Sequence, residues 1–177
     1  DAKTIEINDF FEDSKNLKAN VYSLMAEQFN GNEKSFELQN INTSLPNSIA
    51  LCSKKRKAYM LNNELVLTFD NNIKSTQIIK INLTDFKSEV FKVLKNTTFE
   101  VAKSNSYLFE NNLYQINVSA TDLAFEIKKI DGSIVQSFKT KQNEEISFKN
   151  SNFNCEWINK KKKKKIENTN QFLKKIS

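Results

Sequence analysis

Two stretches of this chain read almost alike: YMLNNELVLTFD from Tyr59 and YLFENNLYQINV from Tyr107. Each runs from an aromatic residue through an apolar pair into an Asn-rich turn, then alternates along a second run. Alternation at a period of two marks a strand, because successive side chains point to opposite faces. Two such runs joined by a short turn make a β-hairpin. The two stretches lie 48 residues apart, a period found in propeller blades and similar β repeats. A propeller closes only with four or more blades, so a blade reading makes the chain a piece of something larger.

Turns in this chain cannot rest on the usual residues, since 177 positions hold 2 Gly and 1 Pro. Asparagine takes their place, at Asn62-Asn63, Asn71-Asn72 and Asn111-Asn112, because it tolerates the left-handed backbone of tight turns. Strands are expected at residues 58–61, 64–70, 76–83, 106–110, 113–119, 123–130, 133–139 and 146–148. In the second of these Leu65, Leu67 and Phe69 share a face. Asp131-Gly132 predicts a hairpin turn of type I′. Phe86, Val90 and Leu94 recur at helical spacing, which predicts a short helix over residues 85–95 with Thr84 as its N-cap. Upstream, Thr4-Ile5-Glu6-Ile7 reads as a strand. Asp9 and Glu12 have capping-box spacing, and Leu17, Val21, Leu24, Met25 and Phe29 predict a helix within residues 15–29 that stops at Asn30-Gly31-Asn32. The expected fold is mainly β, of antiparallel hairpins and propeller-blade-like repeats, with an N-terminal helix and short helical connectors. Three segments follow: 1–48 as a strand and helix, 49–158 as the antiparallel β body, and 159–177 as a lysine-rich connector and tail helix. An apolar fraction of 38% that includes 14 Phe suffices for one core.

The charge is segmental. The chain carries 27 Lys and Arg against 21 Asp and Glu, and Lys160, Lys161, Lys162, Lys163, Lys164 and Lys165 account for the whole excess of +6. A second cluster, Lys54, Lys55, Arg56 and Lys57, holds the only arginine. Without both clusters the remainder is mildly acidic, unlike a broad nucleic-acid-binding face. The two clusters are candidate polyanion-binding residues, for nucleic acid, anionic glycan or an anionic membrane surface. Against this, no interleaved aromatics flank the six lysines to stack bases, and Trp157 stands alone. As a solvated connector they lead to a helix over residues 167–176, whose Phe172, Leu173 and Ile176 form a small apolar stripe and a candidate docking point for a partner.

The residue inventory closes off several chemistries. There is no histidine, which removes Ser-His-Asp and Cys-His catalysis and His-ligated metals. Two glycines write neither a phosphate loop nor a dinucleotide fingerprint. Glu12-Asp13 and Glu144-Glu145 are adjacent carboxylates, but adjacency in sequence does not aim two carboxylates at one substrate. No catalytic, cofactor-binding or metal-ligating residue is assigned, and the expectation is a protein that is not an enzyme. Cys52 and Cys155, the only cysteines, are either one disulfide closing a long loop or two separate thiols. N-x-[ST] sequons occur at Asn42, Asn82, Asn96 and Asn117, the last within an expected strand. No apolar run is long enough for a membrane span, and no signal peptide pattern is present. Asp1 in place of Met is expected of a processed precursor or an excised fragment.

The stretch NSYLFENNLYQINVSATDLAFEIKKIDGSIVQSFKTKQNEEISFKNS, with QFLKKIS after it, resembles uncharacterised exported β-rich proteins of flavobacteria-type (Bacteroidota) genomes. That resemblance covers roughly the second half of the chain and rests on hairpin texture. It implies an extracytoplasmic location, in the periplasm, at the cell surface or secreted, and it assigns no activity and no site residue. Residues and resemblance together predict a non-enzymatic binding or structural module of an envelope or secreted assembly. Its partner would be another protein or the remainder of a longer chain, with an anionic polymer as the alternative, and no cofactor.

Overall fold

The computed structural model describes residues 38–95, 97–152 and 166–177. The expected N-terminal strand and helix, Asn96, Cys155, Trp157 and the six lysines lie outside the described residues. Nine strands and two helices are present among those described: β1 (Gln39–Ile41), α1 (Ile49–Cys52), β2 (Arg56–Leu61), β3 (Glu64–Phe69), β4 (Ser75–Asn82), β5 (Ser88–Leu94), β6 (Lys103–Phe109), β7 (Asn112–Val118), β8 (Asp122–Lys129), β9 (Ile134–Lys141) and α2 (Thr169–Ile176). The fold is mainly β. Its strands form a five-stranded sheet in the order β1-β2-β3-β4-β5 and a four-stranded sheet in the order β6-β7-β8-β9. The chain divides into two compact units, residues 1–69 with 77–91 and residues 70–76 with 92–177, so the division falls inside β4 and β5.

In the first unit β1 runs parallel to β2, which parallel geometry permits only through a crossover; α1 lies on it. Ser48 caps α1, its hydroxyl accepting from the Leu51 amide at 3.3 Å. β2 and β3 pair antiparallel around Asn62-Asn63, with Asn62 at a φ of 54°. Leu67, Phe69, Ile79 and Ile81 form the core cluster, with Leu38, Ala58 and Leu65 against it. The expected shared face of Leu65, Leu67 and Phe69 is therefore a core face. Tyr59, Val66 and Ile78, on the opposite side of the same strands, are also fully buried.

In the second unit β6, β7, β8 and β9 form an antiparallel meander. The turn from β6 to β7 is made by Glu110 and Asn111, at φ of 47° and 61°. Positive φ at both central positions is the type I′ requirement. The turn thus sits one residue before the expected Asn111-Asn112, and Asn112 opens β7. Leu61 pairs with Glu64 and Phe109 with Asn112, so the second hairpin reproduces the first in register, 48 residues later. Each sheet holds a run of four neighbouring strands that begins with such a hairpin, β2-β3-β4-β5 and β6-β7-β8-β9.

Three expectations are corrected. Residues 85–95 are not a helix: β5 occupies Ser88–Leu94, with Val93 buried while Phe86, Val90 and Leu94 are exposed. Val90 and Leu94 share one side of that strand, and Phe86 lies in the turn before it at a φ of 59°. Thr84 is no N-cap but part of a turn in which its amide donates to Asn82 Oδ1 and the Lys87 amide to Asp85 Oδ1. Local side-chain bonds of this kind favour turns over helix starts. Ile146 is buried in a turn, and residues 146–148 form no strand. Asp131-Gly132 does join β8 to β9, but not as type I′. Only Gly132 has positive φ, at 90°; its amide donates to the Lys129 carbonyl, and the Lys129 amide to that of Ser133. That is a longer turn closed by a left-handed glycine. The Ser133 hydroxyl and then its amide hold the exposed Asp131 carboxyl below its usual range, with Lys129 adding a smaller pull.

Candidate functional site

Register assigns every residue of β6–β9 to one of two faces, since directly paired residues share a side. Ser104, Asn117 and Ala124 lie in one row, Ser106, Gln115 and Glu126 in the next, and Leu108, Leu113 and Lys128 in a third. All nine are buried. The opposite face carries Tyr107 beside Tyr114 and Ile127, Asn105 beside Ile116 and Phe125, with Phe138 paired to Phe125. The more polar side of this sheet is thus the sealed one, and the aromatic side is only partly covered.

The sealed face is held by ions. Segments 70–76 and 92–95 of the same unit lie on it. Asp70 is buried, and its Oδ1 accepts from the Thr76 hydroxyl at 2.7 Å, with Lys95 Nζ at 3.2 Å. Its Oδ2 accepts from the Ser106 amide at 2.8 Å and the Ser106 hydroxyl at 2.6 Å. Lys95 Nζ also donates to Ser104 Oγ and to the Asn72 carbonyl, each at 2.9 Å. Next to this, Gln115 Nε2 donates to Thr76 Oγ1 at 3.0 Å, and Gln115 Oε1 accepts from Lys128 Nζ at 3.0 Å. Lys128 Nζ donates further to the Leu94 carbonyl at 2.6 Å. It stands 2.7 Å from Glu126 Oε2, close enough for an ion pair but too poorly aligned for a hydrogen bond. The side chains of Asp70 and Lys95 have no exposed surface. Carboxylates so enclosed act by holding backbone and neighbours in place, and a substrate has no access to them.

Both edges of this sheet are guarded against adding strands. On β6 the Ser106 amide is taken by Asp70, with Asn105 Oδ1 sharing it at 2.9 Å. On β9 Val135 is an extra residue, because Ile127 pairs with Gln136 and Lys128 with Ile134. This bulge disrupts one end of the edge, and the exposed Lys139 and Lys141 guard the other.

The aromatic face is divided by α2. Asn168 caps that helix through its Oδ1, which accepts from the Gln171 amide at 3.0 Å. Leu173 is fully buried against Val118 and Leu123, with Phe125, Phe148, Phe172 and Ile176 packed around them. The stripe of Phe172, Leu173 and Ile176, expected as a docking point for a partner, packs instead on the chain's own sheet. A row of rings runs from Tyr114 to Phe125 to Phe138 to Phe148, with centroids 6.3, 6.0 and 5.2 Å apart, within the range of favourable aromatic pairs. Beyond the helix the face is open: Phe109 is 42% exposed and Ile116 37%. Leu45, Ile49 and Met60 in the first unit are more exposed still, but they are scattered over a loop, a one-turn helix and a strand, and scattered exposure is ordinary.

The other expected site residues are placed as follows. Lys54 and Lys55 are exposed, Arg56 is half-buried and Lys57 is fully buried within β2. The cluster does not present four charges on one surface. Cys52 ends α1 and is half-buried; its pairing with Cys155 falls outside the described residues. Of the sequons, Asn42 and Asn82 are exposed, whereas Asn117 is fully buried. A polar groove lies along Asn143, Glu144, Glu145, Lys149, Glu167 and residues 168–170. Its groups largely satisfy one another: the Asn143 amide donates to Asn170 Oδ1, Asn170 Nδ2 to Asn143 Oδ1, and Lys149 pairs with Glu145. Among the described residues no group of three His, Cys, Asp or Glu could hold a metal ion, and no helix is long and apolar enough to cross a membrane.

Sequence reading missed both faces as sites. The signal was present in the alternation Ser104, Ser106 and Gln115, Asn117 against Tyr107, Tyr114 and Phe125, but alternation names two faces without saying which is sealed. No protein-family model matches this chain, and neither a curated protein nor a solved structure matches it.

Proposed function

We propose that this chain is a non-enzymatic binding module, extracytoplasmic in location, that holds another protein or a further part of a longer chain on the open half of the β6–β9 aromatic face. The observation that carries this reading is the exposure of Phe109 and Ile116 on a face whose other half is covered by α2. Two exposed apolar side chains on a face that already docks a helix favour a partner that buries them. The guarded edges of β6 and β9 turn the reading away from strand addition and toward this face. The location rests on the resemblance of the second half to exported β-rich proteins.

A polyanion-binding role, through the two lysine clusters, has less support. Lys57 is buried and Arg56 half-buried, so the first cluster offers mainly Lys54 and Lys55. The test is photocrosslinking in the native cell, with a benzoylphenylalanine at Ile116 and, as control, at Ser137, exposed on β9 but on the opposite side of the sheet. A protein adduct from position 116 that is absent from position 137 supports the reading. Equal labelling from both positions, or none from 116, overturns it.

A further inference from the structure

We infer that the occupant of the open half is an amphipathic α-helix with carboxylates on its flanks. This rests on the binding-module reading above and says what kind of segment that module takes. Three observations point to it. First, the face already takes a helix: α2 seats Leu173 on Val118 and Leu123 and flanks it with Phe172 and Ile176, residues that share a helix face at spacings of three and four. Second, the same face exposes Ile116 and Phe109 beside the half-buried Tyr114, while both edges of the sheet are guarded against a strand. Third, no strand position on this face is a carboxylate, and lysines stand at its two ends, Lys103 and Lys129. Asp131 lies near Lys129 and draws on its charge, which leaves Lys103 as the cation that a partner's carboxylate would meet.

Size follows from the strands. The seven residues of β6 extend about 20 Å at roughly 3.3 Å per residue, a length matched by about 13 residues of helix at 1.5 Å each. The rings favour a helix over single-stranded nucleic acid. Phe125 and Phe138 stack on each other, and Tyr114 tilts against Phe125, so the row offers an apolar surface of packed rings more than separate ring faces for bases.

The test uses two synthetic 14-residue peptides (a length set, at about 1.5 Å per residue, by the helix estimate above). Both carry Leu along one helical face; one has Glu at the remaining positions and the other Lys. Amide resonances of the isotope-labelled full chain report where each binds. The Glu peptide is expected to shift Tyr107, Tyr114 and Ile116 and to bind about two- to fivefold more tightly than the Lys peptide, the range an exposed ion pair supplies. Lys103→Glu should abolish that preference without changing the thermal midpoint. If neither peptide shifts those amides, or both bind equally well, or Lys103→Glu leaves the preference intact, the inference fails. Failure of the peptides alongside a specific adduct at position 116 removes only the helical partner; failure of the adduct removes the binding face itself.

Discussion

The two faces of the β6–β9 sheet invert the usual division of labour. One side carries Ser104, Ser106, Gln115, Asn117, Glu126 and Lys128, and all six are buried. The other carries Tyr107, Tyr114, Ile116, Phe125 and Phe138, and none of these is fully buried. Burial of ions is costly unless they are paired and hydrogen-bonded. Here Asp70 answers Lys95 and Glu126 answers Lys128, with Ser106, Thr76 and Gln115 filling the remaining positions. The difference teaches that polarity alone does not assign a sheet face to solvent; the supply of partners does.

The largest expected effect tests the sealed face. Asp70→Ala leaves Lys95 as a buried cation without its carboxylate and leaves the Ser106 amide without its strongest acceptor. Breaking a buried pair from one side costs roughly 3–5 kcal/mol. Urea unfolding of the variant should show a lower midpoint whose shift, multiplied by the m value, equals that loss, and a loss under about 1 kcal/mol, the scale of an exposed pair, would mean that the network is looser than its geometry. Asp70 also occupies the β6 edge, so sizing chromatography should show self-association of the variant at concentrations where the parent chain is a single species.

How much of this was legible in the sequence depends on the element. Hairpin β2–β3 was readable because Asn62-Asn63 separates two clean alternations, and β6–β7 nearly so, with the turn displaced by one residue onto Glu110. A glutamate with positive φ has no local signal. β5 was misread because Phe86, Val90 and Leu94 fit a helix, while the deciding fact, that Val93 faces inward beside exposed neighbours, lies in the pairing of β5 with β4. The tail helix was legible from Phe172, Leu173 and Ile176, but not its seat on Val118 and Leu123. Nor was the ionic network: Asp70, Lys95 and Lys128 are separated by tens of residues, and each alone looks like a surface charge.

The next effect tests the covered half of the aromatic face. Leu173→Ala removes the one fully buried side chain of α2 and should cost roughly 2–5 kcal/mol. An eight-residue helix does not persist unsupported. Hydrogen exchange should therefore lose protection throughout α2 while β7 and β8 keep theirs. Equal loss in all three elements would mean that the helix and sheet unfold as one cooperative unit and that the face is not a separable docking surface.

The smallest effect is the sharpest comparison, because it uses neighbours. Gln115 and Ile116 are consecutive in β7 and point to opposite sides. Gln115→Leu is by ordinary reckoning a favourable change in a buried position, yet it strips Lys128 of an acceptor and Thr76 Oγ1 of a donor. The orphaned groups should cost about 1–3 kcal/mol. Ile116→Gln puts an amide on a residue 37% exposed and should stay within about 0.5 kcal/mol of the parent. Thermal midpoints of the two variants, measured side by side, give the sign of their difference directly. If Gln115→Leu is the more stable of the two, the network adds less than apolar packing would in its place, and what it supplies is register and edge protection in β6–β8 without net stability.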